Sequence, residues 1–203
     1  MFELILLLAS TTAASLPLTS STCTGTPSVC TGVLTQLASP PNTIDLTLKT
    51  TLGSFSAATG SFQFNSDIST PGPLRTGWMR LTLANDGDWG GGFTSGSVTL
   101  GSYACTSGAQ IAIICYLNSV KPVTLGSPLA LSLSASLSRF ESSTGYGGGV
   151  RDLYLTAAFF EDDLGSLGLP VTATLAPEPG TCGLAALILL AVVWARPNAK
   201  SSK

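Results

Sequence analysis

The sequence predicts an all-β domain, an antiparallel β-sandwich or jelly roll, and three observations carry that expectation. Apolar residues alternate with polar ones over short runs, most cleanly at Leu129, Leu131, Leu133, Ala135 and Leu137, which are separated by Ala130, Ser132, Ser134 and Ser136; this is the period of a strand with one face buried. Gly and Pro turn signals recur at intervals of roughly 8 to 15 residues and delimit about nine such runs. Ser, Thr and Gly are abundant while only 10% of the residues are charged, a composition in which hydroxyl and β-branched side chains cover the solvent face of a pleated sheet. No helix-period stretch occurs between the two ends, and there is no internal repeat of the kind that marks a β-helix.

Taken in order, Met1 to Ala14 holds the apolar run Leu4 to Leu8 and then small residues through Thr12-Ala13-Ala14, the layout of a secretory signal peptide with its cleavage site. Its head carries Glu3 and no Lys or Arg. Ser20, Ser21 and Thr22 before Cys23 do not form a lipoprotein signal. The exported domain is expected over residues 15–175. Cys23 and Cys30 bracket Gly25 and Pro27, turn chemistry that brings two sulfurs together, so a local disulfide is expected. A first strand is read from Val33 to Leu37 and is broken at Pro40-Pro41-Asn42. Ile44, Leu46 and Leu48 then alternate with Asp45, Thr47 and Lys49. Leu52 to Ala57 and Ser61 to Asn65 read as a strand pair turned at Thr59-Gly60, with Phe62 and Phe64 on one face.

Ser69 to Pro73 is a loop on its turn chemistry. It leads to a strand at Trp78 to Ala84, in which Trp78, Arg80 and Thr82 oppose Met79, Leu81 and Leu83. Phe93 to Ala104 resumes the strand pattern, and Ile111 to Leu117 is dense and apolar like a strand inside a sandwich. Cys105 and Cys115 flank Thr106-Ser107-Gly108-Ala109, so a hairpin would set them on adjoining strands, and a second disulfide is expected there, subject to register. After the Leu129–Leu137 strand comes a loop at Tyr146 to Gly149. A strand at Val150 to Phe160 ends in the acidic corner Glu161-Asp162-Asp163, and a last strand runs from Pro170 to Leu175.

The composition excludes several functions. The chain has no histidine, which removes Ser/His/Asp and Cys/His nucleophilic machinery and the commonest zinc ligand. With a net charge of -2 and a pI near 4.9 it has no electrostatic footprint for phosphate, and no nucleic-acid partner is expected. Nothing in the residue pattern is diagnostic of an enzyme.

Three constellations remain. Asp86 and Asp88, with Asn85 and Gly87, supply hard oxygens on a turning backbone of the kind Ca²⁺ takes, though no Glu completes an EF-hand loop; a solvated Asn/Asp/Gly turn accounts for the same residues. Glu161, Asp162, Asp163 and Glu141 are the candidates for a glycosidase-type carboxylate pair, but neighbours on a strand end point to opposite faces. Trp78, Trp89 and Tyr146 offer aromatic faces for sugar stacking. Trp89, beside Asp86 and Asp88 and followed by Gly90, Gly91 and Gly92, has the best claim to exposure, whereas aromatics in a sandwich more commonly fill its core.

The end of the chain is of a different kind. Pro177, Glu178 and Pro179 precede an apolar run whose centre is Leu184 to Trp194, and Arg196, Lys200 and Lys203 follow. As a helix at ~1.5 Å per residue, residues 180–195 would span ~24 Å, within reach of a ~30 Å hydrocarbon core by local thinning and snorkelling. The basic end would stay cytoplasmic. These features resemble the PEP-CTERM sorting signal of bacterial surface proteins, with Ala176 where that family commonly has Val and with Pro197 among dispersed basic residues. The resemblance covers residues 176–203. It implies recognition by exosortase, a membrane-embedded cysteine protease, with transient residence in the inner membrane and then delivery to the surface in bacteria that make exopolysaccharide. Cys182, at the mouth of the tail helix, is expected to stay a thiol. The function expected from the whole is an exported structural or adhesive surface protein. A carbohydrate-binding module for exopolysaccharide and a carboxylate-dependent glycan hydrolase are the alternatives.

Overall fold

A computed structural model of the chain describes residues 13–27, 29–53, 57–87, 93–107, 115–116, 120–139, 148–164 and 167–176. Among them lie thirteen strands: β1 (Ala14–Leu16), β2 (Ser20–Gly25), β3 (Val29–Leu37), β4 (Thr43–Gly53), β5 (Ala58–Ser69), β6 (Arg75–Gly87), β7 (Phe93–Leu100), β8 (Tyr103–Ser107), β9 (Cys115–Tyr116), β10 (Lys121–Leu125), β11 (Leu129–Arg139), β12 (Gly148–Phe160) and β13 (Thr174–Leu175). They form two antiparallel sheets. The first runs β1-β3-β4-β12-β6-β10, with β9 also on β6, and the second runs β13-β5-β11-β7-β8, with β2 also on β5. No helix long and apolar enough to cross a membrane occurs among the described residues.

Between β4 and β12 the pairing is nested. β4 pairs with β12, β5 with β11, β6 with β10, and β7 with β8. Successive strands β4, β5, β6 and β7 therefore alternate between the sheets, and each side chain that alternation turns inward meets the opposite sheet. Ile44, Leu46, Leu48 and Leu52 of β4, Met79, Leu81 and Leu83 of β6, and Leu153, Leu155, Ala157 and Phe159 of β12 face Phe62, Phe64 and Ile68 of β5 and Leu129, Leu131, Leu133, Ala135 and Leu137 of β11 in one continuous core. The expected alternation of β11 holds: Leu129 to Leu137 are buried and the serines between them are half-buried on the outer face.

Several boundaries differ from the sequence reading, each for a physical reason. Thr59 and Gly60 are not a turn but lie inside β5, and β4 and β5 belong to different sheets. Gly60 serves close approach instead, because a Cβ there would stand 3.2 Å from Cys30 Sγ and 3.2 Å from Phe62 Cε2. The run Phe93–Ala104 is two strands joined at Gly101-Ser102, where Leu100 pairs with Tyr103 and Gly101 takes a positive φ of 57°, the conformation that tight hairpins require. Of the dense apolar run Ile111–Leu117, Cys115 and Tyr116 are described, as a short edge strand on β6. β2 escapes the sequence reading because all six of its residues are exposed, so it carries no alternation.

The expected Cys23–Cys30 disulfide is present, with a Cα–Cα separation of 6.4 Å. It is local in sequence yet joins the sheets, since Cys23 pairs with Gly60 on β5 and Cys30 with Leu52 on β4. Cys105 and Cys115 do not share a hairpin. Cys105 lies on β8 opposite Val98 in the second sheet, whereas Cys115 lies on β9 opposite Leu83 in the first. Cys105 is buried and held in a disulfide; the side chain of Cys115, and all of Cys182, lie outside the described residues.

Candidate functional site

The acidic corner after β12 is occupied by structural work. Arg75, at the start of β6, donates from Nη2 to Glu161 Oε1 at 2.6 Å and from Nε to Glu161 Oε2 at 2.9 Å. Its Nη1 donates to the carbonyls of Pro71 and Pro73, each at 3.2 Å. One guanidinium thus fastens the loop before β6 to the corner after β12. Asp162 accepts the backbone N–H groups of Leu164 and Leu169 and so closes the turn that follows. Glu141 lies outside the described residues.

The hydrogen bonds from Arg75 hold the Glu161 carboxyl below its ordinary range. A depressed carboxylate stabilises the fold above the pH at which the unfolded residue titrates, about 4.3, and that contribution is lost as pH falls through the lowered folded value. Glu161→Gln is therefore expected to lower the melting temperature at pH 6 to 7, by an amount that shrinks with added salt, and to match the parent chain in strong acid. Parallel melting curves from pH 2 to 7 check this; a gap that persists unchanged at low pH would contradict it.

The other sequence-predicted residues are dispersed. Asp86 sits on β6 directly opposite Asp152 of β12, which in turn pairs with Lys49 of β4. Lys49 Nζ stands 4.0 Å from Asp152 Oδ2. Asp88, Trp89 and Gly90 to Gly92 lie outside the described residues, as do Tyr146, the motif Pro177, Glu178 and Pro179, and the basic residues Arg196, Lys200 and Lys203. Trp78 is half-buried on the outer face of β6, in register with Phe160 and Pro122. Among the described residues no three His, Cys, Asp or Glu side chains converge as metal ligands.

What the sequence reading missed is a groove of about 750 Å³ on the outer face of the second sheet, lined by residues that include Leu18, Asn65, Asp67, Thr99, Ala130 and Ser132. Three strands build it. Asn65 of β5, Ser132 of β11 and Thr99 of β7 lie side by side in one cross-strand row. In the next row Asp67 faces Ala130, and the Gly101 N–H donates to the Ala130 carbonyl at 3.0 Å. The second row lacks bulk at Ala130 and Gly101, and that step in height makes the floor.

The walls come from the two ends of the described chain. Leu18 and Thr19 connect β1 to β2, and the Thr19 hydroxyl accepts the Asn65 N–H at 2.8 Å. Ala176 donates its N–H to the Asp67 carbonyl at 2.7 Å. Gln63 Nε2 donates to Asn65 Oδ1 at 3.3 Å, which fixes the amide and leaves its NH₂ as a donor. Two smaller depressions, of about 480 and 350 Å³, have no charged residue among the described residues of their linings.

No protein-family model matches the chain, and no curated protein matches it.

Proposed function

We propose that the chain is an exported β-sandwich protein of jelly-roll type with a structural or adhesive role at the cell surface or in the extracellular matrix. In this reading residues 1–14 are its signal peptide, and residues 176–203 are a sorting signal that rests in the inner membrane until exosortase acts. The observation that carries it is the way the sandwich ends. The core runs from Leu34 to Ala173, β13 closes on β5, and among the described residues Ala176 makes the last bond, to Asp67, immediately before the Pro177-Glu178-Pro179 motif. A tail placed there can be cut away without removing any residue of that core. The same reading pairs Cys105 with Cys115, as a second bridge between the sheets, and assigns no catalytic role, since Glu161 and Asp162 are engaged in holding the corner.

In a host with exosortase, mass spectrometry of the surface form is expected to show a chain lacking Leu184 to Lys203. Glu178→Ala is expected to stop that trimming while leaving membrane insertion intact, because the helix and its basic flank are untouched. An intact carboxy terminus in every cell fraction would replace this reading with a permanent single-span anchor.

A second reading, a module that binds exopolysaccharide, is favoured by one specific feature, the polar groove on the second sheet.

A further inference from the structure

We infer that the groove bounded by Asn65, Asp67, Thr99 and Ser132 is a subsite for a neutral polysaccharide chain, an inference that rests on the glycan-binding reading and gives it a place and a ligand class. The chemistry of the lining selects the ligand. Thr99 and Ser132 hydroxyls each donate and accept, the Asn65 amide donates, and the Asp67 carboxylate only accepts. A sugar ring presents the same alternation of donors and acceptors around its rim. Anionic glycans and phosphates are disfavoured, because among the described residues of the lining Asp67 is the charged group and there is no Lys or Arg.

The floor itself does not suit an extended peptide. Peptide strands add to sheets at open edges, where backbone groups are unpaired, but here the floor is the face of β11, paired on one side to β5 and on the other to β7. What the floor offers is flatness: Ala130 and Gly101 leave room for a ring to lie down, and Leu18 gives it an apolar wall. The volume, about 750 Å³, falls in the range of small-molecule sites.

The face beyond the groove continues the same chemistry. The next rows along the strands are Gln63, Ser134 and Ser97, then Ser61, Ser136 and Ser95, and the Ser97 and Ser134 hydroxyls are bonded to each other at 2.7 Å. Rows repeat about every 6.8 Å along a strand and about 4.8 Å between strands. A chain of sugars leaving the groove along β11 would meet hydroxyls at each step.

The test is affinity electrophoresis of the full chain in detergent through gels cast with dextran, galactomannan or mixed-linkage β-glucan, with alginate as the anionic control. At least one neutral gel is expected to retard the parent chain. Ala130→Trp, which fills the floor, and Asp67→Ala, which removes the acceptor, are each expected to weaken that retention at least tenfold with melting temperatures unchanged. Passage through all three neutral gels without retardation, retention by alginate alone, or retention that neither substitution alters would overturn the proposal. A chain that is trimmed and delivered to the surface yet passes every gel sinks the glycan subsite alone. A chain retained by a neutral gel but never trimmed sinks the sorting reading alone.

Discussion

Phe62→Ala is expected to cost about 3 to 5 kcal/mol, the range for an aromatic ring removed from a core that cannot collapse around the loss. At this chain length that corresponds to a fall in melting temperature on the order of 10 °C. Phe62 is fully buried near the middle of β5, held between Ser21 of β2 and Ala135 of β11. Its ring crosses to the opposite sheet and lies against Gly32 of β3, where a Cβ would come within 2.9 Å of Cε1. It also covers Gly60 on its own strand. One ring thus fills the space that two glycines leave, and neither glycine has a side chain to move into the hole. Urea unfolding of the parent and the variant measures the difference. A loss below about 1.5 kcal/mol would mean that the sheets close over the gap, and the account of Gly32 and Gly60 would then be wrong.

Replacing Cys23 and Cys30 together by serine is expected to cost about 2 to 3 kcal/mol, the loop-closure value for a short ring. The effect should also be localised. β2 is exposed along its whole length and is held by pairing to β5, including a hydrogen bond between the Thr24 and Thr59 hydroxyls. Beyond the short backbone connection at 26–28, the disulfide is a cross-link from β2 to β3 and the other sheet. Without it, amide exchange at Ser20 to Gly25 should accelerate well before exchange in β4 or β12. A uniform rise across all strands, with no lead at β2, would mean that the bridge does not hold β2 separately and that the loss shows only through global unfolding.

The fold class was legible because the long central strands are amphipathic with period two. β11 shows this along its whole length, as do β4 at Ile44, Leu46 and Leu48 and β6 at Met79, Leu81 and Leu83, and in each the alternation became burial. Order within the sheets was not legible. Nothing in a strand's own residues says that β4 pairs with β12, more than ninety residues on, because that choice is made by the opposing sheet. Glycines misled for a related reason: Gly60 looks like a turn residue, yet its role is to make room for a sulfur and a ring brought from elsewhere. The Cys23–Cys30 bond followed from spacing, but its joining of two sheets did not. The groove was beyond sequence reading altogether. Asn65, Thr99 and Ser132 are ordinary surface residues on three separate strands, and only strand order makes them neighbours.

The way the chain leaves the sandwich has a mechanical consequence. A protein held by its tail takes tension first at Ala176, and the segment behind that point is attached by a short series of separate bonds: Ala176 to Asp67, two residues of β13 to β5, Ala173 to Pro41, and Val171 to Phe159. A steady pull breaks these one after another rather than all at once. Releasing Pro170 to Ala176 yields slack of ~20 to 25 Å at ~3.4 Å per residue before force reaches the turn that Asp162 closes and, behind it, β12, which is clamped between β4 and β6 at the centre of its sheet. Val171 and Ala173 are buried against the core, so the freed segment has a reason to return when the pull relaxes. Under the sorting reading proposed above, the end of the domain would act as a short spring between the anchored tail and a sandwich that stays folded.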